Sequence, residues 1–407
     1  MALLKPPAHS LRHHQRPFGV WRLGIGRSAD ILILTAVLPA VVAALSSCTR
    51  RPPPPKPYLA FVANRASNTV AVVNLATFQT TASIPVAPQP VQVLARPGAR
   101  EIFVLSRSGS VSVIAYPALR VTANIDIGSA AANLAITADG RLAAASDARG
   151  EIVLIDCASR TIEGRVKSGG DVSKLAFSPK GKLLVAADSA HDRLLFVDTM
   201  SRTILGVTQV GKAPGPMAIL PDGSKLFVAD TGEPKISAVD LTSRQVLSDI
   251  DLASRPVALA LKADGGELIA LCRESATLVI LDTFHDDVES EMPTGSGPVA
   301  ALTTRDSKRL FVANRDDGTV QAIDLQNRSQ TGSVLSTRAG IAPSALALTP
   351  DERFLVVADS ASSSLAVLST APISAKSTKV SSVPFPLVTT IGVGAQPVDV
   401  AVPDWLE

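Results

Sequence analysis

The sequence predicts an all-β protein, a closed β-propeller built from four-stranded blades. Two observations lead to this fold class: an apolar strand pattern recurs at nearly regular spacing, and the end of the chain supplies a strand that its beginning lacks. Of the 407 residues, 46% are hydrophobic and 18% are charged, with 26 glycines and 29 prolines. This composition excludes a disordered chain, a coiled coil or a collagen and indicates a turn-rich globular protein.

The repeat opens with a short apolar strand that ends in a polar or small residue, and eight copies start at spacings of 40 to 44 residues. A period of this length is typical of propeller blades. We therefore expect eight blades, with seven, a common number for such sequences, as the alternative. The copies start at Phe61, Phe103, Ala143, Leu184, Phe227, Ile269, Phe311 and Leu355.

Each repeat continues with three more strand patterns. A second apolar strand, such as residues 319–324, is followed by a polar turn and then a third strand, such as residues 248–252. A loop marked by proline leads to a strand of small apolar residues, such as 256–261, and then to a turn of the Pro-Asp-Gly type, as at Pro221. Small side chains suit the crowded innermost strand, where the blades converge. Four strands per period make one blade.

The first repeat has no innermost strand before it, because its pattern opens directly with residues 59–63. Residues 397–402, near the C terminus, have the pattern of the missing strand, and a Pro-Asp pair follows where other repeats have their turn. We therefore expect the C-terminal strand to complete the first blade. Such closure would leave no open end in the array of blades.

The repeat resembles that of a known family. The Phe-Val-Ala-Asn copies at Phe61 and Phe311, the Asp-Leu-Thr-Ser-Arg segment at Asp240 and the Pro-Asp-Gly turn at Pro221 are similar to the YVTN repeat of YncE-like propellers. The similarity covers residues 58–404. It implies an exported or surface propeller of a bacterium or archaeon, and it implies no particular activity, because one fold serves many functions.

The first 47 residues have the pattern of a signal peptide. Basic residues dominate residues 1–30, and an apolar run follows at 31–45, which is shorter than the about 20 residues of a transmembrane helix. The run leads into Leu-Ser-Ser-Cys, ending at Cys48, which resembles the lipobox of bacterial lipoproteins. This resemblance implies lipidation of Cys48 after removal of residues 1–47. Ordinary cleavage near Ala44 and an uncleaved anchor are the alternatives.

The remaining chain is expected to divide into a tether and a propeller. Residues 48–57 contain four consecutive prolines, which favour an extended polyproline II spacer, and residues 58–407 form the propeller. A Ser-, Thr- and Pro-rich insertion at 369–386 interrupts the last blade; we expect it to be flexible, with a partner-contacting arm as the alternative. The lipobox resemblance implies a bacterial cell-envelope protein, exported and lipid-anchored at the periplasmic face of the outer membrane or the cell surface.

The charge of the chain limits its partners. The formal net charge of +3 depends on the leader, because removal of residues 1–47 leaves −1. The body therefore has no net attraction to nucleic acid. The expected partners are a membrane, through the N-terminal lipid, and an envelope protein or small polar ligand, with the protein itself a monomer.

Candidate ligand-binding residues follow the first apolar strand of the repeats, in loops that a propeller places at one mouth of its channel. Four are arginines: Arg65, Arg107, Arg273 and Arg315. Five are polar residues that end these strands: Asn64, Asn314, Asp188, Asp230 and Asp359. A mouth with both signs of charge suits a polar or zwitterionic ligand, or an acidic protein loop. The alternative is a structural role in the turns for the Asn and Asp residues, with the arginines as solvated surface side chains.

Groups for catalysis or metal binding are scarce. After the leader only His191 and His285 remain, in turns expected at opposite mouths, and Cys157 and Cys272 lie three blades apart, too far for a disulfide. No zinc, haem-attachment or nucleophile-elbow motif is present. We expect no metal, no cofactor and no catalytic residue, and hence a non-catalytic binding or scaffold protein. The alternative is an envelope enzyme or redox accessory, lactonase-like or related to the quinone- and haem-dehydrogenase propellers.

Overall fold

The computed structural model describes residues 57–405 apart from a few segments. These segments are 129, 148, 327–333 and 371–384, and of residues 334–337 only the backbone is described. Every regular element of the described residues is a β-strand, and none of them forms a helix of the length and apolarity needed to cross a membrane. The leader, Cys48 and most of the insertion predicted at residues 369–386 lie outside the described residues.

The described strands form eight four-stranded antiparallel sheets, and each sheet is one blade. The innermost strands, which line the central channel, are β4 (Pro90–Ala95), β8 (Ala131–Ile136), β12 (Val172–Phe177), β16 (Pro214–Ile219), β20 (Pro256–Leu261), β24 (Pro298–Thr303), β28 (Pro343–Leu348) and β32 (Pro397–Ala401). The second strands are β1 (Leu59–Asn64), β5 (Glu101–Ser106), β9 (Leu142–Asp147), β13 (Leu183–Asp188), β17 (Lys225–Asp230), β21 (Glu267–Cys272), β25 (Arg309–Asn314) and β29 (Phe354–Asp359).

Two more strands complete each blade on its outer side. The third strands are β2 (Thr69–Asn74), β6 (Ser110–Ala115), β10 (Glu151–Asp156), β14 (Arg193–Asp198), β18 (Lys235–Asp240), β22 (Thr277–Asp282), β26 (Thr319–Asp324) and β30 (Ser364–Ser369). The outermost strands are β3 (Gln79–Pro85), β7 (Arg120–Asp126), β11 (Thr161–Lys167), β15 (Thr203–Gln209), β19 (Gln245–Asp251), β23 (Asp287–Pro293), β27 (Val334–Arg338) and β31 (Leu387–Gly392).

The C-terminal strand β32 closes the ring. It pairs antiparallel with β1, with Val400 opposite Val62, so that the first blade has the order β3-β2-β1-β32. It also contacts the innermost strands of both neighbouring blades, β4 and β28, and every other innermost strand likewise contacts the next one. The predictions of eight blades and of closure by the C-terminal strand are confirmed.

The hydrophobic core lies in layers between neighbouring blades. The second and third strands are apolar on both faces because another blade covers each side, which explains their continuous apolar runs. The layer between the first and eighth blades joins Val62 and Val73 to Val356 and Val367, and Val400 of the closing strand is buried in it. Burial of one such side chain contributes about 1.5–3 kcal/mol, so β32 stabilises two blades together.

Aspartates hold the turns between the third and outermost strands. Oδ1 of Asp240 accepts the backbone N–H of Thr242 at 2.9 Å, the backbone N–H of Ser243 at 2.6 Å and the Ser243 hydroxyl at 2.9 Å. These hydrogen bonds hold the pKa of Asp240 below its usual range. Asp198 makes the same bonds in the preceding blade. The recurring acid at this repeat position therefore has a structural role.

Deletion of residues 397–407 tests the closure. We expect a sharp fall in the unfolding temperature, or loss of a cooperative transition, because β1 loses its partner strand and the layer between the first and eighth blades becomes exposed. Thermal unfolding followed by circular dichroism measures this. Asp404→Ala, an exposed position just beyond β32, is the matched control and should leave the transition unchanged. A truncated protein as stable as the parent would contradict the role assigned to β32.

Candidate functional site

One mouth of the channel, which we call the upper mouth, is formed where the second strands end and the innermost strands begin. These two ends are paired in every blade. The backbone N–H of Arg65 donates to the carbonyl of Gln396 at 2.9 Å, and that of Arg107 donates to the carbonyl of Gln89 at 2.8 Å. These bonds fix the backbone of both arginines and leave their side chains at the mouth.

Three of the four predicted arginines form one positive cluster of Arg65, Arg107 and Arg315. Burial lowers the pKa of Arg65, and the nearby charges of Arg107 and Arg315 lower it further. The Nε of Arg65 is buried and has no acceptor among the described residues. No carboxylate of the described residues forms an ion pair with any of the three guanidinium groups. The cluster is therefore a set of unneutralised cations.

Arg273, the fourth predicted arginine, is neutralised by a neighbouring blade. Its guanidinium donates to the two carboxylate oxygens of Asp316 at 3.0 and 3.3 Å. Both side chains are nearly half exposed, at 44% and 47%, so the pair contributes little to stability. It does remove Arg273 from the set of available cations.

A cavity of about 580 Å³ opens at the upper mouth over the first four blades, and we call it the upper cavity. Arg65 and Arg107 line it from the first and second blades, and Asp147 and Asp171 line it from the third and fourth. Its volume lies in the range of small-molecule sites. Asp171 was not predicted as a site residue, although its place directly before an innermost strand was a usable signal. The upper cavity thus has a positive and a negative side.

The predicted Asn and Asp residues lie beneath the upper mouth. They have no exposed area and are Asn64, Asn314, Asp188, Asp230 and Asp359. Their side chains pack against the loop that leads into the innermost strand of their own blade. A Cβ at Gly340, for example, would lie 2.4 Å from Cγ of Asp359, so only glycine leaves room for this packing. These residues anchor the loop and do not line the upper cavity.

The blades differ in the charge and the partners of the buried residue that ends the second strand. In the fourth blade, Asp188 accepts one hydrogen bond from Nε of Arg193 at 2.8 Å and pairs with Nδ1 of His191 at 2.9 Å. In the first blade an uncharged Asn64 takes its place. In the eighth blade neither oxygen of Asp359 has a hydrogen-bond partner among the described residues, and burial raises the pKa of Asp359 to about 7. Asp359 is therefore costly to ionise.

Asp359→Asn should stabilise the protein at pH 8 and not at pH 4. The pKa of Asp359 is raised in the folded state, so the wild type loses stability as pH rises from the unfolded pKa near 4 to the folded pKa of about 7. The amide has no such loss, and its gain at pH 8 is up to about 4 kcal/mol. Chemical denaturation at both pH values measures it.

Asp188→Asn is the matched control for this prediction. It removes the charged partner of Arg193 and should lower stability at pH 8, because the half-buried guanidinium loses its ion pair. An Asp359→Asn protein whose advantage over the wild type is the same at pH 4 and pH 8 would contradict the assignment of Asp359 as an unpartnered buried acid.

The remaining chemistry-bearing residues do not meet. His191 lies in the turn after β13 on the upper face, and His285 lies in the turn after β22 on the opposite face. Cys157 and Cys272 are free and buried, and burial raises the pKa of their thiols to about 12 and about 11. No group of three or more His, Cys, Asp or Glu side chains able to hold a metal ion occurs in the part of the chain that the structure describes.

A second cavity, of about 530 Å³, opens at the lower mouth of the channel, and Arg96 and Arg305 contribute to its lining. Arg96 donates to a carboxylate oxygen of Glu101 at 2.8 Å, and Arg305 donates to the carbonyl of Pro350 at 3.0 Å. The arginines of the lower mouth are thus already bound by the protein. The upper cavity is the better candidate site because its arginines are not.

The fold and the charged channel mouth define a β-propeller with a candidate binding site at one end of its channel. Comparison with protein families identifies the particular group: a match to the YNCE-like beta-propeller covers residues 95–371. The chain belongs to this family. Comparison with curated proteins gave no significant sequence match.

Solved structures with the same fold include enzymes. Hydrazine synthase from Kuenenia stuttgartiensis has a TM-score of 0.58 and 20% identity, over 69% of this chain and 96% of that one. The dihydro-heme d1 dehydrogenase NirN in complex with DHE has a TM-score of 0.68 and 17% identity, over 88% of this chain and 78% of that one. At such identities the similarity shows the fold alone.

Proposed function

We propose that this protein binds a small polar molecule that carries an acidic group, in the upper cavity. The observation that supports this most is that Arg65 and Arg107 line the cavity with no carboxylate partner among the described residues. Guanidinium groups bind carboxylates and phosphates through paired, charge-assisted hydrogen bonds. Asp171, which is exposed on the other side of the cavity, would take a cationic group. A zwitterion therefore fits the cavity best.

Binding would relieve an unfavourable arrangement of charge in the free protein. Arg65 repels Arg107 and Arg315, and its buried Nε lacks an acceptor. An acidic group between the guanidiniums would remove the repulsion and accept their hydrogen bonds, each contributing about 1.5–3 kcal/mol. The acidic loop of an envelope protein, the other partner expected from the sequence, would use the same cations.

Arg107→Met is the direct test of the proposed site. The probes are 4-aminobutyrate, which carries both charges, and butyrate and butylamine, which carry one each. By titration calorimetry we expect the wild type to bind 4-aminobutyrate most tightly and butylamine most weakly. In Arg107→Met, the loss of one charge-assisted contact should weaken the binding of 4-aminobutyrate and of butyrate about ten-fold or more. The unfolding temperature should not fall, because Arg107 is exposed and its positive neighbours repel it.

Arg273→Met is the matched control, because Arg273 carries the same charge in the equivalent loop of the sixth blade but is paired with Asp316. It should leave the affinity for all three probes unchanged. Equal losses in the two variants, or no loss in Arg107→Met, would contradict the proposed site.

An enzymatic role is the second candidate, because both structural neighbours are enzymes by name. At 20% and 17% identity with this chain, they show a shared fold and do not show a shared reaction. An absorption spectrum of protein purified from its native membrane tests this candidate, since a visible band from a bound redox cofactor would favour it over simple ligand binding.

We also propose that a lipid on Cys48 holds the propeller at the bacterial cell envelope after export. The Leu-Ser-Ser-Cys sequence after an apolar run and the proline-rich segment that follows support this. Mass spectrometry of protein extracted from membranes should show a diacylated chain beginning at Cys48, and native spectra should show a monomer.

Cys48→Ala should release the protein from the membrane fraction without changing its unfolding temperature, because Cys48 precedes the described propeller. An unlipidated wild-type chain, or a Cys48→Ala variant that stays in the membrane fraction, would contradict the anchor.

A further inference from the structure

The third residues of the innermost strands divide the channel into a polar and an apolar half. In blades one to four they are Asp399, Gln92, Asn133 and Lys174. In blades five to eight they are Pro216, Ala258, Ala300 and Ala345. The same first four blades form the upper cavity. The polar half of the channel therefore continues directly below the candidate site.

Three of the four polar residues are bound to the channel wall. Asp399, Gln92 and Asn133 each accept a hydrogen bond of 2.9 Å from a backbone N–H of the next innermost strand. The other carboxylate oxygen of Asp399 accepts the N–H of Val400 at 3.0 Å. Each oxygen of Asp399 thus accepts one backbone N–H.

Lys174 ends this series, and its ammonium group has no hydrogen-bond or ion-pair partner among the described residues. Burial lowers the pKa of Lys174, whereas the charge of Asp399 raises it. Lys174 is the third residue of the innermost strand β12, the same position that Asp399 has in β32 three blades away. Water still reaches the side chain, which is exposed. Lys174 is therefore a solvated cation on an innermost strand of the channel.

Lys174 also lies next to the upper cavity. Ser173, the residue before it in β12, lines that cavity together with Arg65 and Arg107. Successive residues of a strand are only about 3.3 Å apart along its axis. The backbone of Lys174 therefore lies one residue further along β12 than the cavity lining, and a molecule held by the two arginines would extend down the channel toward it.

We propose that Lys174 binds a second acidic group of the ligand whose first acidic group lies on Arg65 and Arg107. The ligand class is then a small dicarboxylate, with or without an amino group for the acidic side of the cavity. The inference rests on the proposed function, because the arginines supply the first contact. Among the described residues Asp399 forms neither a hydrogen bond nor an ion pair with Lys174, and the apolar half of the channel would face the hydrocarbon part of the ligand.

Calorimetry with matched acids tests the inference on the full chain. The pairs are butyrate and succinate, pentanoate and glutarate, and hexanoate and adipate, whose members differ by one terminal carboxylate. We expect at least one dicarboxylate to bind the wild type about ten-fold or more tightly than its partner. Lys174→Met should bring that dicarboxylate to the affinity of the monocarboxylate and leave the monocarboxylate unchanged, and Lys174→Arg should keep much of the preference.

Lys180→Met, at an exposed lysine in the turn after β12, is the matched control and should behave as the wild type. Circular dichroism checks the fold of each variant, and Lys174→Gln, which keeps a polar side chain in the channel, replaces Lys174→Met if the latter unfolds. A preference that survives the loss of Lys174, or a wild type without any preference, would overturn the role of Lys174. If Arg107→Met also leaves monocarboxylate binding unchanged, the arginine site itself is wrong.

Discussion

The pairing of β32 with β1 is the interaction on which the rest of the structure depends. It joins the last strand of the chain to the first and so turns a row of blades into a ring with a channel. The candidate site depends on it directly. The backbone of Arg65 is held by the carbonyl of Gln396, just before β32, and β32 itself carries Asp399 into the channel wall. The charged mouth and the channel therefore exist only in the closed ring.

The repeat keeps the backbone of the eight blades alike, and the candidate site arises where single side chains depart from it. The position that ends the second strand shows how far such departures are tolerated. Asp188 is neutralised by Arg193, Asn64 carries no charge, and Asp359 is buried without a partner among the described residues. Each anchors the same kind of loop. Because the ring as a whole holds these loops, one blade can carry a costly buried acid at a position where another has an amide.

The fold could be predicted from the sequence because a blade is a local unit. Its repeat length and its turn residues can be recognised in one continuous stretch of the chain. The site could be predicted only in part. The positions of Arg65, Arg107 and Arg315 follow from the repeat, but the pairing of Arg273 with Asp316 joins neighbouring blades and has no local signal. The depth of the Asn and Asp residues likewise depends on contact with a glycine loop, and the strand pattern alone does not show this contact. The polar half of the channel becomes visible only when the third residues of the innermost strands are aligned by blade.

The position of the closing strand β32 near the C terminus has a consequence for biosynthesis. The first blade lacks its innermost strand until β32, the last of the 32 described strands, is available. During translation the N-terminal blade therefore stays incomplete until the ribosome has made nearly the whole propeller, and the ring has no closed state before then. A chain that must cross a membrane unfolded would gain from this delay, because native closure cannot precede the synthesis of its final strand.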